Sequence, residues 1–375
     1  MKIKINQKKI KEGVNLTERI SIKSSSLPIL KNIMIKVQKN YINLIATDLE
    51  VGVKWWALAE TEKEGEIVIP SGILSSFIGF LPEKQVVLSS SKNNLLVDCD
   101  NFKTQIKGLS PEEFPIIPEV TEKASVLIDS SLLCKGLSQI SDIPSFSTSR
   151  PEISGIFFSF EKDKLKMVAT DSYRLGEKTI NLDTSVKEKF SFILPQKAAK
   201  EVVNIFNEKE GELKIVFGVN QVLFETAMPG KKSHPQIQLV SRLIDGDYPN
   251  YEEIIPSKSE TKVIVDRNEL VNQIKASSVF GGKVNEVKIK INPEKKGLEI
   301  FSESVETGEF HSFVPAQIKG KKEEISFNHR FLLEGLSSIK SSEVSFEINS
   351  SASPGVIKPV SGSDFLYIVM PIKAS

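Results

Sequence analysis

Apolar and polar residues alternate along short stretches of this chain, as in KIKIN at 2–6, LLVDCD at 95–100 and KIKIN again at 288–292. A period of two places every second side chain on one face, the mark of a half-buried β-strand. Between such stretches the period lengthens to that of a helix. IKINQKKIKEGVNLTERI at 3–20 reads as a strand, a polar turn and then a helix, and VLIDSSLLCKGLSQISDI at 126–143 and VIVDRNELVNQIKASSVF at 263–280 repeat the pattern. Asn6, Asp129 and Asp266 stand at the junctions, 123 and 137 residues apart. Each is a residue type whose side chain accepts from the free N–H groups of a first helical turn.

Three further markers recur in the same order. A strand ends in a polar turn in LIATDLEVGV, MVATDSYRLGE and IFSESVETGEF, which aligns Asp48, Asp171 and Glu303. A strand feeds a helix in EIVIPSGILSSFIGFL, SFILPQKAAKEVVNIF and EISFNHRFLLEGLSSI, aligning Pro70, Pro195 and Asn328; proline suits that position because the first turn needs no N–H from it. An acidic-aromatic-proline segment closes two of the units, GLSPEEFPIIPEV at 108–120 and LIDGDYPNYEEIIPSK at 243–258. The period far exceeds that of a solenoid, so each copy is a domain with its own core. The pattern predicts an α+β chain of three repeated domains, 1–120, 121–256 and 257–375, with helical segments at 7–20, 71–84, 130–143, 196–206, 267–283 and 328–340.

A length of 375 residues suits two or three domains, and 40% hydrophobic with 26% charged residues marks a folded chain. Cys99 and Cys134 are too few for a disulfide framework or a four-thiolate zinc site. No run approaches the roughly 20 apolar residues of a membrane span, and MKIKINQKKIKEG has no apolar core of a secretory signal. A cytoplasmic protein without membrane contact is expected. The formal net charge is only +1, yet the six helical segments together carry +6, leaving −5 for the remainder. Positive charge gathered on helices suits weak, sequence-independent attraction to phosphates. In these segments only Arg19, Arg267 and Arg330 offer the fork that reads guanine edges.

The combination LPIL at 27–30, ATDLEVGV from Ala46, EEFP from Glu112, RPEISG from Arg150, ATDSYRL from Ala169, DGDYPNYEEIIP from Asp245 and YIVMPIK from Tyr367 resembles the bacterial β sliding clamp family, the β subunit of DNA polymerase III, from end to end. The resemblance implies a DNA clamp fold, each domain two helices packed on antiparallel sheets, assembled as a head-to-tail dimeric ring around double-stranded DNA. DNA polymerase III, other polymerases and a clamp loader are the implied partners, and no cofactor is implied. It places a partner-peptide pocket at Ile153, Thr170, Ser172, Tyr173, Arg174, Leu175, Pro249, Ile254, Ile368, Val369, Met370, Pro371 and Ile372. Aliphatic side chains there would bury the apolar end of a peptide, Arg174 would orient it, and Met370 would adapt to several partners. DNA-facing cations are expected at Lys8, Lys9, Lys11, Arg19, Lys23, Lys197, Lys200, Arg267, Lys275 and Arg330, and Phe280 is the candidate at a dimer contact. The chain departs from the family pattern at Ser24, where some relatives carry arginine, at Tyr173, where histidine is frequent, and at Glu253 and Lys373, where arginine occurs.

Catalysis finds little footing. His234, His311 and His329 are scattered along the chain, and FGGK at 280–283 lacks the upstream glycine of a phosphate-binding loop. Recurrence of Asp48 and Asp171 in separate domains points to a structural turn and not to a paired acid and base. The remaining alternative is a non-replicative clamp paralogue acting as a protein-interaction scaffold.

Overall fold

Short strands with one buried face cannot stand alone, so each repeat closes its strands into sheets and lays two helices on them. A computed structural model describes residues 1–21, 27–183, 185–186, 188–362 and 364–372, with Lys232 described through its backbone only. Lys23, Ser24 and Lys373 therefore lie outside the described residues.

The first repeat runs β1 (Lys2–Asn6), α1 (Gln7–Ser21), β2 (Asn32–Gln38), β3 (Tyr41–Thr47), β4 (Val51–Leu58), β5 (Glu60–Lys63), β6 (Gly65–Pro70), α2 (Ser71–Phe80), β7 (Gln85–Ser91), β8 (Asn94–Cys99) and β9 (Phe102–Lys107). The second runs β10 (Ala124–Asp129), α3 (Ser130–Ile140), β11 (Gly155–Glu161), β12 (Lys164–Thr170), β13 (Arg174–Asn181), β14 (Phe190–Pro195), α4 (Gln196–Phe206), β15 (Glu212–Phe217), β16 (Gln221–Met228) and β17 (Lys231–Arg242). The third runs β18 (Thr261–Asp266), α5 (Arg267–Ser277), β19 (Glu286–Asn292), β20 (Gly297–Ser304), β21 (Gly308–Lys319), β22 (Glu323–Asn328), α6 (His329–Ser338), β23 (Glu343–Ile348), β24 (Gly355–Pro359) and β25 (Phe365–Val369).

The helices form where the pattern predicts them, and their ends have local causes. In α1, Ile10, Val14, Thr17 and Ile20 are buried while Lys8, Lys11, Asn15 and Arg19 face solvent. This is the stripe that 3.6 residues per turn produces. Gly13 faces the sheet: a Cβ there would lie 2.3 Å from Trp55 Cε3, so only glycine lets α1 settle on β4. The side chains of Asp266 and Asn328 cap α5 and α6, accepting from Glu269 N at 2.8 Å and Arg330 N at 2.9 Å. The expected helix over 71–84 stops at Phe80, because Leu81 precedes Pro82 and takes extended angles. The segment expected to run to 283 ends at Ser277 and continues as a 3-10 turn, Ser278–Phe280.

The chain divides into two compact units, Met1–Ser131 with Asn204–Leu243, and Leu132–Val203 with Ile244–Ser375. The first holds a five-stranded sheet, β5-β1-β7-β8-β9, and an eight-stranded sheet, β10-β15-β16-β17-β4-β3-β2-β6. In the latter, β17 of the second repeat pairs antiparallel with β4 of the first, from Ile237 opposite Trp55 to Ser241 opposite Val51. The second unit holds one twelve-stranded sheet, β14-β11-β12-β13-β25-β24-β23-β18-β21-β20-β19-β22. Its inter-repeat joint is β13 with β25, where Arg174 faces Val369 and Leu175 faces Ile368. Alternate residues of each strand fill the cores: Ile42, Leu44 and Ala46 of β3 and Leu165, Met167 and Ala169 of β12 are fully buried.

Candidate partner-binding site and DNA-facing helices

The two Thr-Asp turns have one geometry. Thr47 Oγ1 donates to Val51 O at 2.9 Å and accepts from Leu49 N, while Asp48 Oδ1 accepts from Glu50 N and Val51 N. Thr170 Oγ1 likewise donates to Arg174 O at 2.7 Å and accepts from Ser172 N, and Asp171 Oδ1 accepts from Tyr173 N and Arg174 N, both at 3.0 Å. Leu49 and Ser172 sit at φ 77° and 76°, a left-handed conformation unfavourable for non-glycine residues. Threonine and aspartate hold the turn shut against that cost. In the third repeat the strand register puts Ser304 at this position, so the alignment with Glu303 is off by one residue. Ser304 Oγ accepts from Glu306 N at 3.3 Å.

At the β13–β25 joint this turn presents Tyr173 to solvent, 65% exposed. Met370 N donates to Tyr173 O at 2.8 Å, and Pro371 bridges to Phe327, which brings Tyr173, Met370 and Pro371 to one end of the joint. Phe331 of α6 stacks on Tyr173 with ring centroids 6.4 Å apart. Beneath them Leu175, Ile368 and Val369 are buried strand residues, as is Ile153 in its 3-10 turn. Met370, Pro371 and Ile372 are half-buried, Ser172 is exposed and Thr170 is buried in the turn. Pro249 is half-buried and Ile254 45% exposed. The neighbouring 3-10 turn, Tyr251–Ile254, buries Tyr251 against Val168, Leu175 and Ile368. Burial pushes the Tyr251 hydroxyl well above the ordinary tyrosine range, with the Glu177 carboxylate adding to the rise.

Arg174 is 8% exposed and engaged on every side. Its Nε donates to Asp171 Oδ2 at 2.9 Å, its Nη2 to Asp142 O at 3.3 Å, it pairs with Glu334 of α6, and its guanidinium lies 4.7 Å from the Phe331 ring centre. The arrangement makes Arg174 a positioning group for the turn and for α6, with little left over to meet a peptide.

Of the expected DNA-facing cations, Lys8, Lys9, Lys11 and Arg19 lie on the exposed stripe of α1, and Lys197, Lys275 and Arg330 are exposed on α4, α5 and α6. Lys8 pairs with Glu83 at 2.8 Å and Lys200 with Asp142 at 2.7 Å, both in solvent where such pairs open readily. Arg267 is partly held by Leu336 O and Asn268 Oδ1. Phe280 is half-buried and stacks on Phe310 at 6.0 Å. Beside it Val279 is 67% exposed. Sequence reading did not single out α2, where Ile73 and Phe80 are 57% and 78% exposed with half-buried Phe77 between them. Spacings of four and three put these three on one helical face.

Three tandem copies of a two-helix domain on antiparallel sheets, joined strand to strand, define the DNA clamp fold. Models of the N-terminal, central and C-terminal domains of the DNA polymerase III β subunit match residues 1–118, 128–250 and 252–373. The β sliding clamp of Synechococcus elongatus is 26% identical over 380 residues, spanning 100% of this chain and 99% of that one. The Staphylococcus aureus β sliding clamp is 26% identical over 93% of each chain. The crystal structure of the DNA polymerase sliding clamp from Bacillus subtilis superposes with a TM-score of 0.93 at 24% identity, and the DNA polymerase III β subunit of Thermotoga maritima with 0.91 at 27%, each over 100% of both chains. The chain belongs to the DNA polymerase III β-subunit family, the β sliding clamps.

Proposed function

We propose that two copies of this chain close head to tail around duplex DNA as a non-catalytic cytoplasmic clamp, loaded by a clamp loader, that tethers DNA polymerase III and other polymerases. The domains are read as 1–120, 121–256 and 257–375.

The observation that carries the ring is a joint used twice and left open once. β4 pairs with β17, and Glu12 of α1 meets Lys209, just past α4, at 2.5 Å. β13 pairs with β25, and Gln139 of α3 donates to Ser338 O of α6 at 2.7 Å. The same roles in the third joint fall to β21 and α5 on one side and to β9 and α2 on the other. β9 pairs only with β8, and β18 meets β21 only over residues 316–319, leaving its first half an edge among the described residues. Unpaired edges invite a strand from another chain. Phe102 of β9 and Phe313 of β21 are 41% and 43% exposed, and the apolar face of α2 and Val279 stand beside these edges in the repeat pattern. A second copy, turned to match, satisfies both ends at once and closes the ring.

The exposed lysines and arginines of the helices would then face phosphates, attracting them weakly and without register. The pocket around Tyr173, Leu175, Met370 and Ile372, with Ile153, Pro249 and Ile254 nearby, would seat the apolar end of a polymerase peptide. Sedimentation analysis tests the closure: the wild-type chain is expected as a dimer, and Phe80→Asp or Ile73→Asp as a folded monomer that no longer lengthens primer-extension products. A dimer undisturbed by both substitutions would remove this joint from the account.

A further inference from the structure

The sheet register aligns one outward-facing row in all three repeats. Pro70, Pro195 and Asn328, each just before a helix, pair with Asn32, Gly155 and Glu286. Two residues along from those partners, the rows read Met34–Ile45–Lys54, Phe157–Val168–Glu177 and Lys288–Phe301–His311 across three adjacent strands.

In the first two repeats the segment leaving the last strand covers this row. Phe114 and Ile117 pack into one cluster with Ile45 and Met34. Lys54 is so far desolvated there that its ammonium is held below the usual lysine range, with Glu119 acting against the fall. In the second repeat Tyr248 stacks on Phe157 at 4.9 Å, Tyr251 packs on Val168, and Glu252 pairs with Lys166 at 3.2 Å. Both covering segments are acidic, carry an aromatic residue followed by proline, and contain Ile-Ile-Pro.

The third row lies open. Lys288 sits 5.7 Å over Phe301, whose ring lies 4.4 Å from His311. His311 is exposed, Phe313 is 43% exposed, and an open groove of about 520 Å³ runs past Lys295, Glu299, His311, Ser312 and Phe313. Lys288 and Lys290 share the carboxylate of Glu324, each at 3.5 Å, and Glu299 pairs with Lys295 at 2.7 Å, which leaves three ammonium groups against two carboxylates at the rim.

We propose that this outer face of the third repeat docks an extended, acidic segment of a partner protein that carries an aromatic residue followed by isoleucines and prolines. The two occupied faces show what such a face accepts, and the excess of ammonium groups at the rim favours carboxylates in the incoming segment. The inference is independent of the site around Tyr173, and it requires that the outer face of β20 and β21 stay open when a second copy pairs along the β21 edge.

The test uses the full chain and a synthetic peptide of residues 108–120, with a photoreactive phenylalanine in place of Phe114 and a fluorophore at one end. Cross-links are expected on the β20 and β21 residues around Phe301 and Phe313. Phe301→Ala and Phe313→Lys should each weaken binding by about tenfold or more, as loss of an aromatic anchor does. Tyr173→Ala should change it by less than about twofold. Both phenylalanines point outward, and thermal unfolding checks that the variants fold; should one fail, the cross-link map on the wild-type chain decides. Cross-links confined to Met34, Phe157 or the Tyr173 site, an affinity indifferent to both face variants, or a face already shielded by a second copy would overturn the proposal.

Discussion

Truncation of Arg174 to alanine probes the best-defined polar network in the second unit. It strips the Asp171 carboxylate, 8% exposed, of the guanidinium 2.9 Å away. Orphaning one partner of a buried pair costs about 3–5 kcal/mol. Asp171 keeps the N–H donors of residues 173 and 174, which places the cost near the lower end. Glu334 is 49% exposed and rehydrates, so its loss adds little. The sum is about 3 kcal/mol, including the lost contact with the Phe331 ring. Adding Asp171→Asn removes the stranded charge while Oδ1 still accepts from the turn, and should recover about 1–2 kcal/mol. Urea unfolding followed by far-ultraviolet circular dichroism measures both, since Trp55 and Trp56, the only tryptophans, lie in the first unit and report on that one. A cost below about 1 kcal/mol for Arg174→Ala, or a double variant no more stable than the single one, would refute the reasoning.

Gly335→Ala should destabilise by about 2 kcal/mol, because overpacking outweighs alanine's better helix propensity. The new Cβ would stand 2.4 Å from the ring of Tyr367, which is 1% exposed and tied to Phe331 O at 2.9 Å; urea midpoints decide. Asp266→Ala removes the cap of α5 and should cost about 1 kcal/mol, read in the same assay. His329 is 6% exposed, and burial first, then Arg330, holds its imidazole below the ordinary value of 6.5. With the folded value below the unfolded one, protonation opposes folding: stability is whole above about pH 6.5, declines as pH falls through that value and levels off below the folded one. Melting curves across that window should slope less in His329→Gln, and an unchanged slope would contradict the assignment.

Much of the fold was legible because the punctuation is chemical. Asp266 and Asn328 cap helices, Pro70 and Pro195 precede them, and Thr47-Asp48 and Thr170-Asp171 close turns, each through bonds to atoms a few residues away. The joints were not legible, because β4 meets β17 across some 180 residues with no local trace in either strand. Arg174 read as a peptide anchor because nothing in ATDSYRL discloses Glu334 and Phe331, which long-range folding brings to it. Nothing in the sequence singled out Ile73 and Phe80, since an amphipathic period cannot tell a face buried in its own domain from one left bare. The slip from Ser304 to Glu303 had a signal in the alternation: Leu298, Ile300 and Ser302 face the core, so position 303 faces out.

Encirclement of DNA is the central claim, and topological retention tests it most directly. Loaded by a clamp loader onto nicked circular DNA and washed at moderate salt, the chain should co-elute with the circle. A single restriction cut should release it, since only the closed circle prevents it from sliding off an end. Retention that survives linearisation would mean binding by contact and not by enclosure, and failure to be retained on the intact circle would contradict the ring altogether.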